Sequence, residues 1–170
     1  MNHASLILQL EANLKTFEGL LHASSTEEII WRAAENKWCL LEIANHLYDE
    51  EREDFRARLK HVLENPKDKL PSIDPVGWVT ARNYMGKSYE TVVREFLQER
   101  ELSIQWLRSL QSPDWKSTHH HHKFGAMSAE MFLANWVAHD YLHIRQILRL
   151  KYEYLKQAAS EVSLRYAGDW

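Results

Sequence analysis

The stretch "VAHDYLHIRQI", residues 137–147, combines an apolar helical face with two histidines. His139 and His143 lie four residues apart, so on an α-helix their side chains point within about 40° of each other. They share this face with Trp136 and Ile147, which indicates that it points into a protein interior. The two histidines are therefore either core residues that hydrogen-bond to neighbours or two ligands of one metal ion.

The whole chain has the composition of a folded protein. Its 170 residues are 45% hydrophobic and 26% charged, unlike a disordered chain. This length predicts a single domain over residues 1–170. The net charge is -3 and charges of both signs are interspersed, so we do not expect nucleic acid as a partner.

Cysteine usage and hydropathy indicate the compartment. Cys39 is the single cysteine, so no internal disulfide can form. Residues 1–15 lack the basic start of a signal peptide, and no uncharged run approaches the ~20 apolar residues of a membrane span. We therefore expect a cytoplasmic protein that does not enter a membrane.

Apolar residues at helical spacing predict four long helices and no strand. In the first helix, for example, Leu6, Leu10 and Leu14 recur every four residues. Ser88 and Ser128 stand where the third and fourth helices need an N-cap. The predicted helices cover about residues 3–22, 38–63, 88–110 and 128–155.

Two long connections separate these helices. Residues 64–87 contain prolines and glycines that interrupt a helix, with one helical turn predicted around "VGWVTARNY" at 76–84. Residues 111–127 form a second polar loop. The predicted fold class is therefore all-α, a four-helix bundle with long connections between helices 2 and 3 and between helices 3 and 4. Metal and cofactor sites are often built in the cores of such bundles.

A third histidine lies in the second predicted helix. His46 adjoins the apolar face of that helix, and Glu50 follows one turn later. The pattern Trp38-x7-His46 with acidic residues after it, together with His139-Asp-x-x-His143-x-x-Gln-Ile in the fourth helix, resembles the DinB/YfiT-like family of four-helix-bundle metalloenzymes. The likeness spans nearly the whole chain.

The resemblance implies a metal site and an oligomeric state. Members of that family hold one divalent ion, often nickel or zinc, with a histidine of helix two and the histidine pair of helix four. In this chain those positions are His46, His139 and His143. Members also commonly dimerise, so a homodimer is expected.

Three imidazoles leave room for water or substrate in the coordination shell, as in catalytic sites. An all-nitrogen set suits zinc, nickel, cobalt, copper or iron. The family's known activities include transfer reactions with low-molecular-weight thiols, such as bacillithiol or mycothiol, and maleylpyruvate isomerisation. The resemblance thus implies a small-molecule substrate and favours a thiol-dependent S-transferase. The alternatives are a metal-dependent hydrolase and a non-catalytic metal- or ligand-binding module of a stress response.

Three charged residues are further candidates for the site. Glu50 either completes the metal shell or acts as a base, unless it is a solvated charge. Asp140 lies beside the inner face of its helix, where it can orient a ligand imidazole or pair with an arginine. Arg100 lies on the inner arc of helix three and needs an anion, either Glu50 or Glu53 or a substrate carboxylate.

Cys39 and a run of four histidines are weaker candidates for a metal site. Cys39 precedes His46 by seven residues, about 10 Å along a helix, which is too far to share one ion and indicates a core thiol. The tract His119 to His122 lies in a predicted loop without a spacing that defines a metal geometry. It either collects metal adventitiously or lines the mouth of the cavity.

Overall fold

The computed structural model describes residues 1–168, and the helical patterns of the sequence form helices there. The second long helix is divided among α3, a π-helical segment and α4, which run on without a break. The α-helices are α1 (His3–Leu20), α2 (Thr26–Ile30), α3 (Leu40–Asp49), α4 (Ala57–Glu64), α5 (Pro75–Ala81), α6 (Tyr89–Ser109) and α7 (Ala129–Ala158), with the π-helical segment at Glu50–Arg56 and 3₁₀ turns at Tyr84–Gly86 and Arg165–Ala167.

Side-chain caps explain where several helices begin. Asn2, Ser25, Ser88 and Ser128 each accept a hydrogen bond from the backbone N–H three residues later. Such caps satisfy backbone donors that the helix itself leaves free. The predicted starts at Ser88 and Ser128 are confirmed.

The long helices pack as a four-helix bundle, which confirms the predicted fold class. Helix α1 contacts both α6 and α7, while α3 contacts α6 and α4 contacts α7. One half of the core centres on Trp136 and Leu59, and the other centres on Phe17 and Phe96. The helices therefore bury their apolar faces against each other, as their spacing requires.

The segment Glu50–Arg56 is π-helical, whereas the sequence predicted a regular α-helix there. A π-helix adds one residue per turn and is frequent at functional sites. Here it begins directly after α3 and changes the direction in which the next side chains point. Hydrophobic spacing cannot reveal such a change because both helix types bury one face.

The expectation that the chain has no strand was wrong. Residues 111–127 were predicted as a loop, but they include most of an antiparallel hairpin with β1 at Thr118–His121 and β2 at Gly125–Ser128. Gly125 has a φ of 72°, which glycine tolerates best. The hairpin is anchored to the bundle by the Ser117 hydroxyl, which donates to the Val62 carbonyl at 2.6 Å. Four consecutive histidines lack the apolar alternation that normally signals a strand.

The other connection agrees with the prediction of one helical turn, because α5 lies within it. Asp74 caps α5 and Pro75 occupies its first turn. Throughout residues 1–168, no helix combines the length and apolar character that crossing a bilayer demands.

Candidate metal centre

Three histidines from two helices meet at one point between α3 and α7. The Nε2 atom of His46 lies 3.3 Å from that of His139 and 3.1 Å from that of His143. The Nε2 atoms of His139 and His143 are 3.0 Å apart. Within residues 1–168, these three histidines form a group whose ligand atoms are close enough together to hold one metal ion.

The spacing of the three nitrogens fits a shared cation. Nitrogens bound to one ion at about 2.0–2.1 Å lie about 3.4 Å apart at a tetrahedral angle and about 2.9 Å apart at a right angle. The observed separations of 3.0 to 3.3 Å fall between these values. Neutral imidazoles have one N–H each, so three Nε2 atoms cannot all pair within such a triangle. A cation would resolve this conflict because all three lone pairs could point at it.

Burial keeps these imidazoles in the form that binds metals. It lowers the pKa of His46 to about 3, with the neighbouring His143 adding to the effect. The pKa of His139 is well below its usual value, again mainly because of burial. Burial also lowers the pKa of His143. Only the neutral imidazole has a lone pair for a metal, so the site is prepared for coordination.

Aromatic rings pack against two of the histidines. The ring centroid of Trp38 is 4.8 Å from that of His46, and the centroid of Phe55 is 4.9 Å from that of His139. These contacts limit the rotation of the imidazoles. Phe55 was not singled out from the sequence, and it reaches the site from the π-helical segment.

Glu50 lies beside this group. Its Oε2 atom is 3.9 Å from the Nε2 atom of His139, and the residue is only 4% exposed. Its Oε1 atom is buried and has no hydrogen-bond partner within residues 1–168. Burial and the adjacent Asp54 raise the pKa of Glu50 to about 8. The carboxyl group is therefore not a solvated surface charge, and it is close enough to act on a ligand of a bound ion.

Arg100 has different partners from those expected. Its guanidinium donates to Asp140 through two bonds of 2.7 Å each and to Glu51 through Nε at 2.9 Å. Glu50 and Glu53 were the predicted carboxylates, but neither contacts Arg100. The guanidinium is 1% exposed, so no face of it remains for a substrate.

Asp140 is correspondingly occupied. It is fully buried, and besides Arg100 it accepts a hydrogen bond from Asn13 at 3.0 Å. Asp140 was expected either to orient a ligand imidazole or to pair with an arginine. The structure shows the pair with an arginine. Glu51 also accepts from the Trp136 indole at 3.0 Å. These five side chains form a buried polar network that joins α1, α6, α7 and the π-helical segment.

Sequence reasoning missed Glu51, although a signal existed. The inward position of Arg100 required an anion, and Glu51 is one of four acidic residues between 50 and 54. Glu51 also follows the buried Leu47 by four residues, which places both on the same side of the helix.

The remaining candidates lie away from the triad. Cys39 is a buried core residue whose sulfur is 3.7 Å from that of Met85, as expected of a core thiol. The tract His119 to His122 lies in the hairpin, where His119 Nδ1 is 3.0 Å from the Pro66 carbonyl oxygen. None of the four belongs to the three-histidine group.

Comparison with curated proteins gives no significant match. Among solved structures, the chain is similar to YfiT from Bacillus subtilis, described as a probable metal-dependent hydrolase with an unusual four-helix bundle topology. The TM-score is 0.78 at 16% identity, over 89% of this chain and 87% of YfiT. At that identity the likeness establishes the fold alone.

The family comparison adds sequence evidence. The model of the DinB superfamily matches residues 9–147. That range runs from α1 into α7 and includes all three histidines of the candidate centre. Because the match covers most of the sequence and the bundle agrees with it, the chain belongs to the DinB superfamily.

Proposed function

We propose that this protein is a metal-dependent enzyme acting on a small molecule, with one divalent ion held by His46, His139 and His143. The convergence of three Nε2 atoms within 3.3 Å carries this proposal. It is supported by the neutral state of the imidazoles, which burial enforces. Nickel and zinc are the proposed ions because both accept imidazole nitrogen.

A bound divalent ion would supply Lewis acidity, which lowers the pKa of a coordinated thiol or water. We propose a small-thiol-dependent S-transferase as the first candidate. The thiol sulfur forms a bond to an electrophilic carbon, a leaving group such as chloride departs, and the thiol proton is released. The chain must import this sulfur because Cys39 is buried at the start of α3 and packs against Met85.

A specific observation favours hydrolysis as the second candidate. The Glu50 carboxyl lies 3.9 Å from His139 Nε2 and has an oxygen without a partner. With a pKa of about 8, this carboxyl group is ionised above that pH, and in the ionised form it can take a proton from a water molecule that attacks an ester or amide. A thiol that has already lost its proton does not need such a base. The role of Glu50 therefore distinguishes the two reactions.

The experiment compares both reactions in metal-loaded protein. A chlorinated aromatic compound is supplied with and without a small thiol, and a simple ester is supplied without thiol. Wild type, His143→Ala and Glu50→Gln are measured, with His22→Ala as control because His22 is an exposed histidine on another part of the bundle. The transferase predicts thiol-dependent turnover that His143→Ala abolishes and Glu50→Gln largely retains.

Ester cleavage without thiol, lost in both His143→Ala and Glu50→Gln, would establish the hydrolase instead. Equal turnover by metal-free protein would rule out both. Metal binding without turnover across a broad panel would favour the non-catalytic binding module.

We also propose that the protein forms a homodimer and works in the cytoplasm. Helix α7 exposes Tyr141, Leu148 and Leu155 at intervals of seven residues, which place them on one side of the helix. Their exposed fractions are 51%, 40% and 53%. A second copy packed on this side would cover them. The cytoplasmic location is supported by the single, buried cysteine.

A further inference from the structure

A cleft with an excess of positive charge begins at His143. One cavity of about 560 Å³ is lined by His143, Arg145, Gln146 and Arg149 together with Leu142. A neighbouring cavity of about 440 Å³ shares Gln146 and Arg149 and extends to Lys37 and Trp38. Because they share two residues, we treat the cavities as one and call them the His143 cleft. It lies between α7 and the connection that precedes α3.

The cations of the His143 cleft are available for a ligand. Within residues 1–168, the side chains of Lys37, Arg145 and Arg149 form neither an ion pair nor a hydrogen bond. The acid in the lining, Glu153, lies 3.9 Å from Lys156. Arg100, by contrast, is buried and neutralised by two carboxylates. An anion that enters the His143 cleft therefore meets Arg149 and Lys37, and it cannot reach Arg100.

The separation of His143 and Arg149 along α7 sets the length of a ligand that could contact both residues. Arg149 follows His143 by six residues, a rise of about 9 Å along the helix. Gln146 lies between them and offers an amide. Trp38 packs on His46 with ring centroids 4.8 Å apart and forms part of the wall. The cleft thus leads from His143 to cations nearly two helical turns away.

We propose that the His143 cleft binds a carboxylate group, so that the substrate of the proposed reaction is a small carboxylate-bearing molecule. Its anionic end lies at Arg149 and Lys37, and its reacting end lies at the three histidines. A guanidinium matches a carboxylate with two parallel N–H···O bonds, and the lysine adds a second charge. The link to a reaction rests on the proposed function, but binding of the carboxylate itself depends on the cations alone.

The test is a titration with glutarate at constant ionic strength, with its uncharged diamide as the comparison ligand. Binding is followed through the indole N–H signal of Trp38 in ¹⁵N–¹H spectra, which Trp38→Phe assigns among the seven tryptophans. Both metal-loaded and metal-free protein are titrated. We expect glutarate, and not the diamide, to shift this signal.

Lys37→Gln combined with Arg149→Gln should weaken glutarate binding by about threefold to tenfold. The control is Arg94→Gln, because Arg94 is an exposed arginine that lines a different cavity beside Tyr89. This variant should bind glutarate as wild type does. Metal content should be the same in all variants, since none of the substituted residues belongs to the three-histidine group.

Equal glutarate affinity in the double variant and wild type would overturn the inference. So would equal binding of the diamide, or signal changes that spare Trp38. The metal-free titration separates this result from the proposed function. If no ion binds while glutarate binding still depends on Arg149 and Lys37, the anion site stands and the metal-dependent function fails.

Discussion

Glu50 and Glu51 are adjacent residues with different partners. Glu50 faces the three histidines, while Glu51 accepts hydrogen bonds from Arg100 and Trp136. Both side chains are buried, at 4% and 1% exposure. Burying a carboxylate is costly unless it has a partner, and Glu51 has two. Glu50 lies 3.9 Å from His139, and its Oε1 atom has no hydrogen-bond partner within residues 1–168, which supports its proposed role in the reaction.

Removing histidines of the triad should remove the ion. Replacing His46, His139 or His143 by alanine deletes one of three ligands, and we expect metal affinity to fall by at least about 100-fold. The measurement is metal content by mass spectrometry after dialysis. His120 and His122 are first changed to asparagine in every protein, because these exposed residues can bind ions themselves. One ion per chain in a His46→Ala, His139→Ala double variant would contradict the proposed ligand set.

Arg100 should contribute strongly to stability. Arg100→Gln leaves Glu51 and Asp140 buried without their cation, which we expect to lower the free energy of unfolding by about 3–5 kcal/mol. Urea denaturation measures the change, with Arg94→Gln as the exposed control. Adding Glu51→Gln and Asp140→Asn should restore part of the loss because the buried charges are then gone. A loss below about 1 kcal/mol in Arg100→Gln would mean that the network is dispensable.

At the level of elements, α7 serves three purposes. Its inner side supplies His139 and His143, and the next turns supply Gln146 and Arg149 to the His143 cleft. Its last turns also hold the short helix α2, because Lys151 donates to Glu28 at 2.6 Å and to the His22 carbonyl at 2.7 Å. Glu28 is therefore one of the residues that fix the position of α2, together with Ile29, which packs against the core.

Glu28 should make stability dependent on pH. Burial alone would raise its pKa, but hydrogen bonds from Lys151 and Ser24 outweigh burial and keep the pKa below 4.5. A carboxyl group whose pKa is lower in the folded state stabilises the protein above its unfolded pKa, and this contribution is lost as pH falls through the folded pKa. Glu28→Gln should therefore cost about 1 kcal/mol at pH 7 and less at pH 3.5.

Urea midpoints at the two pH values measure this effect. Glu27→Gln is the matched control, since Glu27 is the exposed neighbour in the same helix. An equal loss at pH 7 and pH 3.5 would show that Glu28 acts through packing rather than through its charge.

At the scale of the whole molecule, α7 leaves a row of apolar side chains exposed to solvent. Tyr141, Leu148 and Leu155 lie on the outer side of α7, opposite the side that bears the triad. An apolar stripe of this length in water favours association with another surface. The candidate metal centre is built from residues of a single chain, so dimer formation and metal binding should be separable.

Charges on this stripe should therefore dissociate the proposed dimer without affecting the metal. Leu148→Glu combined with Leu155→Glu should reduce the mass in light scattering from two chains to one. Leu102→Glu is the control because Leu102 is similarly exposed on α6. A wild-type protein that is monomeric at micromolar concentration, or a double variant that remains dimeric, would disprove this interface.

The sequence by itself determined the bundle and most of the triad. Helical spacing of apolar residues, serine caps and proline-rich connections act over a few residues, so they can be read without a structure. His139 and His143 share a helix face for the same reason. His46 was assigned to the site through resemblance to a family, since spacing within one helix says nothing of what another helix brings near.

Tertiary structure alone decided which charges meet. Arg100 of α6 pairs with Glu51 of the π-helical segment and with Asp140 of α7, because packing brings these three elements together. Pairing of Thr118–His121 with Gly125–Ser128 likewise depends on backbone hydrogen bonds that no side-chain pattern records. Interactions between residues far apart in sequence depend on helix phase and packing, and a single extra residue in a helical turn changes both.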